Sequence, residues 1–295
     1  MIPFPPDTAL TSRFRWGLTI GASAIVLASA SDILLTLQGM LGFVETRLVR
    51  DYLAGTRHGN ATLLRLGLVL VVIALALLNR RARTATVEGD DQASFAGPGK
   101  GITNTLFVLV GVMLLGTFSW TSHAAAMGGT PPLLADLVHY GAAAAWAGPI
   151  FYLAFTPRWD EMLPAMRIAF RRISRIGLAS VLLLFLTGTY TALIHMQDPE
   201  RFVTSPFGWA LGAKLGVVLL RVAIAAANRL WLLPAFVQGN RPERFQNAVR
   251  TEAMLLVAVF LLTGLLTTSA LPHDPSAQPS ALENLVRFLR FLTGR

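Results

Sequence analysis

The sequence predicts an all-α fold, a polytopic membrane helix bundle of about seven transmembrane helices. Three observations carry that expectation. Of 295 residues, 54% are hydrophobic and only 14% charged, with a mean hydropathy of +0.56. Such a composition places one membrane domain, residues 1–295, over the whole chain and leaves no room for a sizeable water-soluble domain. The apolar residues gather into stretches long enough to cross a hydrocarbon core of ~30 Å. Finally, the arginines cluster in alternate connections between those stretches, as in membrane proteins oriented by basic cytoplasmic loops.

The first stretch, Trp16–Met40, follows Arg13 and Arg15. Its early part, ending in Ala28-Ser29-Ala30, would also suit a signal peptide. The apolar pattern resumes directly after Asp32, however, and three prolines precede the arginines, so we read a first span. Phe43–Tyr52 is amphipathic and charged, and would either lie on the outer surface or prolong the first helix. The second and third spans are expected at Ala61–Leu78 and Ile102–Thr121. Between them, Val87–Gly101, with Glu88, Asp90, Asp91 and several glycines, reads as a flexible cytoplasmic loop. The remaining spans are Leu133–Phe155, opened by Pro131 and Pro132 in a helical first turn, then Ile173–Ile194, Phe207–Leu233 and Thr251–Leu271. Pro149 is expected to kink the fourth. After a polar linker, 281–292 forms an amphipathic helix too short to span, which would lie in the external interface with Arg287 and Arg290 toward headgroups.

Arg80, Arg81, Arg83 and Lys100 lie in the second connection, Arg158 to Arg175 in the fourth, and Arg229 to Arg250 in the sixth. The positive-inside rule then puts the N-terminus in the cytoplasm and the C-terminus outside. It also accounts for the net charge of +9 without a nucleic-acid partner. A shift of 149 residues lays Gly59-Asn60-Ala61 on Gly208-Trp209-Ala210, Arg65 on Lys214, and Asn79-Arg80 on Asn228-Arg229. This predicts a parallel 3+3 repeat, 16–121 and 173–271, with the span at 133–155 unpaired between them.

The chain has no cysteine, so thiolate sites and disulfides are excluded and any soft-metal chemistry must use His and Met. The predicted topology puts all five histidines on the external side: His58, His123, His139, His195 and His273. Met127 and Met196 join them at external helix ends. His139 is the deepest, ~12 Å below the start of its helix at ~1.5 Å rise per residue. It shares a stripe with Asp136, one turn before, and Trp146, two turns after. A histidine bonded to a neighbouring helix is the ordinary explanation of such a residue. Imidazole with thioether points instead to copper, Cu(I) above all, with Asp136 and Trp146 supporting the ligands from behind. Lys214, Arg221 and Asn228 recur every seven residues on the sixth span. Arg221 is expected near mid-membrane as a structural partner of a carbonyl or an anion.

Ser122-His123-Ala124-Ala125, the His139–Gly148 run with Trp146, 171–195 (RRISRIGLASVLLLFLTGTYTALIH), 204–234 (TSPFGWALGAKLGVVLLRVAIAAANRLWLLP) and 250–272 together resemble the copper-resistance D family (CopD and PcoD). The family's usual glycine after the Trp-x-Gly element is Pro149 here. The resemblance implies a copper-homeostasis protein of the bacterial cytoplasmic (inner) membrane, not an enzyme. Such a protein takes copper from an external, CopC-type periplasmic carrier and moves it across the bilayer. No nucleotide-binding loop is present to drive the movement. A haem-binding electron carrier is disfavoured by the unequal depths of the histidines. A copper sensor or assembly subunit that binds without transport is the remaining alternative.

Overall fold

The computed structural model describes residues 8–41, 45–87, 98–122, 129–155, 163–195, 199–238, 242–268 and 290, and these are helical apart from short turns. In chain order the helices are α1 (Thr8–Leu41), α2 (Thr46–Gly55), α3 (Arg57–Val87), α4 (Pro98–Trp120), α5 (Thr130–Ala154), α6 (Leu163–His195), α7 (Pro199–Thr204), α8 (Pro206–Ala227), α9 (Leu233–Val237) and α10 (Pro242–Thr268). Five are long and apolar enough to cross a membrane, over Gly17–Gln38, Arg57–Leu78, Arg172–Ile194, Pro206–Phe236 and Glu243–Gly264. The expected third span corresponds to a shorter apolar helix, Thr105–Trp120. The expected fourth is α5, whose 25 residues are long enough but are diluted by Asp136, His139 and two interior glycines. Leu182, Leu186, Leu219 and Leu261 point outward, and such an apolar exterior is what lipid covers. This is a multi-pass membrane protein.

Chain contacts divide it into two compact units, with the boundary between Leu137 and Val138 inside α5. In the unit before the boundary, α3 packs on α1, α2 and α4. The segment at 43–52 does not prolong the first helix where it is described. Glu45 is extended, at φ −119° and ψ 149°, and α2 starts anew at Thr46 with no buried residue. The turn into α3 is tight because Gly59 lies against the α2 backbone. A Cβ there would meet Tyr52 O at 2.3 Å and Leu53 Cα at 2.5 Å. Thr56 Oγ1 donates to Tyr52 O at 2.8 Å and accepts from Gly59 N at 2.9 Å, satisfying groups that the chain reversal leaves open.

In the unit after the boundary, α8 and α10 form the main helix pair. The core gathers Trp146 and Ala147 of α5 with Leu256 of α10. Helix α5 stays α-helical across Pro149. The sixth expected span is not one α-helix: Asn228–Leu232 is a π-helical turn between α8 and α9. Pro234 follows two residues later and has no N–H for the helical ladder. Its ring would crowd a carbonyl four residues back, and a widened turn relieves that crowding. The last span also starts earlier than expected, at Pro242 rather than Thr251, so Glu252 lies ten residues into α10 rather than at its end. The terminal segment 281–292, apart from Arg290, and the 88–97 connection lie outside the described residues.

Candidate functional site: His139 and the charged core beneath it

His139 is half-buried on α5 and meets Thr187 and Gly188 of α6. Its Nδ1 lies 2.9 Å from Thr187 Oγ1. Gly188 leaves room for the ring, since a Cβ there would stand 3.4 Å from His139 Cε1. The Thr187 hydroxyl has one proton, and its 2.6 Å approach to Leu183 O shows where that proton goes. The Thr187 oxygen must then accept from His139 Nδ1–H. Of the two neutral tautomers this selects the one with its lone pair on Nε2, the form in which an imidazole binds a metal through that nitrogen. The hydrogen bond to the neighbouring helix thus occupies one ring nitrogen and leaves the opposite one without a part in it. Thr187 orients the ring in the manner common for metal-binding histidines.

Other expected site residues also have side-chain partners, His58 among them. His58 Nε2 lies 2.6 Å from Asp32 Oδ2, bringing α3 to α1 at a partly exposed position. His195 ends α6. Asp136 is half-buried on α5, one turn before His139 and on the other side of the unit boundary. His123, Met127, Met196 and His273 lie outside the described residues. Among the described residues no three His, Asp or Glu side chains group to hold a metal ion.

Trp146, two turns beyond His139, has a definite partner. The Arg221 guanidinium stacks on its ring at 3.7 Å, and Arg221 is 1% exposed. Arg221 Nη2 donates to Glu252 Oε2 at 3.3 Å, and Asn228 Nδ2 donates to Glu252 Oε1 at 2.7 Å. The expected anion for Arg221 is thus Glu252. Sequence reading missed it, because starting the last span at Thr251 places Glu252 at the interface. An acidic residue facing the Arg221–Asn228 stripe was the available signal. This triad cancels charge inside the apolar core, where an unpaired ion would be expensive.

A second buried cation was also missed. Arg65 on α3 is 5% exposed, donates Nε to Thr117 Oγ1 at 3.1 Å and Nη2 to Thr117 O at 3.4 Å, and covers Phe118 at 3.9 Å. Thr117 passes its own hydroxyl proton to Leu114 O at 2.7 Å, the same relay geometry as Thr187 on α6. Both buried arginines use their flat faces on aromatic rings, which suits a weakly hydrated planar cation.

Residues 167–266, from α6 to α10, match the family model described as copper resistance protein D. A copper resistance protein D of Pseudomonas syringae pv. tomato is 30% identical over 171 residues, which is 54% of this chain and 55% of that relative. The chain thus spans about half the length of the curated relative it matches. No solved structure matches.

Proposed function

On the premise that residues 167–266 are a copper resistance protein D domain, we propose that the chain accepts copper on the external side and carries it across the bacterial inner membrane. The carrying observation is His139: the Thr187 bond at Nδ1 fixes the ring and leaves Nε2 to serve as a nitrogen ligand on a membrane helix. In this reading His123, Met127, His195 and Met196 collect the ion near helix ends, and His58 and His273 flank the entry. Imidazole and thioether together favour Cu(I). A CopC-type periplasmic carrier is the donor we propose. The protein acts as a carrier and not as an enzyme. In this proposal the chain forms seven spans in a parallel 3+3 repeat, with the terminal amphipathic helix on the external surface.

Copper uptake into liposomes containing purified protein tests it, comparing wild type with His139→Ala. Transport by wild type that the substitution abolishes is the expected result. Transport that survives removes His139 from the path, and its absence in wild type favours a sensor or assembly role. A Soret band in protein purified without added metal would point to haem instead.

A further inference from the structure

Apart from His139, the second unit holds a partly open cavity of about 380 Å³ bounded by α5, α6, α8, the π-helical turn, α9 and α10. Its walls are largely aliphatic, with Ile150, Leu153, Val181, Val222 and Val249 among them, and His139 does not border it. Polar character comes from Arg221, Glu252 and Asn228, and from Arg229, which is exposed and held by Ser174 O at 3.1 Å and Ser174 Oγ at 2.6 Å.

Arg221 spends its Nη2 on Glu252 and its flat face on Trp146. Its Nε is buried and has no hydrogen-bond partner among the described residues. A buried charged donor without an acceptor is costly, and Arg221 lines the cavity. Glu252 is aligned on Arg221 Nη2 and on Asn228 Nδ2 rather than on Nε. Because Arg221 is among the residues that line the cavity, a molecule bound there is the candidate source of an acceptor for Nε once the guanidinium adjusts to it.

Charge and wall chemistry narrow its class. Glu252 already neutralises Arg221, so a second anion at Nε would be repelled by that carboxylate in a medium of low dielectric. A neutral carbonyl oxygen offers the lone pair without that repulsion. Aliphatic walls favour an apolar body over a cluster of waters, which would need several polar partners each. The π-helical turn widens the helix at Asn228 and Arg229, and such turns recur at functional sites.

We propose that this cavity binds a neutral, carbonyl-bearing apolar molecule drawn from the bilayer, its carbonyl oxygen on Arg221 Nε and its body against the aliphatic walls. A quinone ring and a lipid ester share this chemistry. Purified full-length protein is titrated with decylubiquinone, with dioctanoylglycerol and with dodecanoate, read by calorimetry and by tryptophan fluorescence. Saturable binding of a neutral probe at one site per chain is expected, about ten-fold weaker in Arg221→Met, as for loss of one bond from a charged donor. Gly177→Leu tests the same site with the Arg221–Glu252 pair intact. A Cβ on Gly177 would stand 3.6 Å from Trp146 Cδ1, and because Gly177 lines the cavity a leucine there would take up part of its space. Preference for decylubiquinone identifies a quinone as the source, and preference for dioctanoylglycerol identifies a lipid. Tighter binding of dodecanoate, no saturable binding of either neutral probe, or binding unchanged by Gly177→Leu overturns the proposal. Copper binding at His139 is measured on the same samples and stays unchanged in Gly177→Leu.

Discussion

Replacing Thr187 by valine removes one hydroxyl and keeps the shape of the side chain. The structure makes this a test of the ligand assignment. Thr187 Oγ1 passes its proton to Leu183 O at 2.6 Å and accepts from His139 Nδ1 at 2.9 Å. Without the acceptor, His139 loses the bond that fixes its tautomer and its ring rotation. The proton is then free to move to Nε2, which removes the lone pair that would meet the metal. Losing such an orienting partner weakens metal binding by about 10- to 100-fold, or ~1.4–2.8 kcal/mol. The fold should hardly notice, because a single hydrogen bond between membrane helices is worth ~0.6 kcal/mol on average. The assay is Cu(I) titration of purified protein against a competing chelator, with thermal inactivation as the stability control. Weakened copper binding at near-normal stability is expected, with Gly188→Leu, which crowds the same ring, giving the same phenotype. If Thr187→Val binds copper as wild type does while His139→Ala does not, the tautomer argument is wrong.

Glu252→Gln leaves Arg221 charged and uncompensated, so it should cost about 3–5 kcal/mol and shorten the inactivation half-life in detergent; adding Arg221→Met should restore much of the loss. Wild-type kinetics in the single variant would show that the pair at 3.3 Å carries no weight. Gly59→Ala forces a methyl into the Tyr52 carbonyl and the Leu53 backbone, an overpacking cost of at least ~1–3 kcal/mol that lowers the midpoint of thermal unfolding. Tyr52, on α2, has its phenol pushed above the usual value of 10.0, by burial first and by the Asp32 carboxylate second. The raised value means that the neutral phenol is the form the fold favours. Its contribution is complete below the ordinary pKa and fades as pH rises through the folded one. Ultraviolet titration should show Asp32→Asn bringing Tyr52 to lower pH, and an unchanged titration would remove Asp32 as a cause.

Much of the architecture follows from composition and spacing alone. Long apolar runs must hide their backbone polar groups within helices, so α1, α3, α6, α8 and α10 are legible from hydropathy. The start of α5, at Thr130 just before Pro131, follows from proline chemistry. Helix ends were less legible: α3 runs on to Val87 and α10 begins at Pro242, because polar and basic residues continue a helix past the membrane boundary at little cost. What the sequence by itself could not supply was pairing between helices. Thr187 opposite His139, Glu252 opposite Arg221 and Thr117 opposite Arg65 are separated by 48, 31 and 52 residues. No local periodicity links residues that far apart. In a medium without water, each buried donor or charge must find its partner on another helix, and only the tertiary packing decides which helix that is.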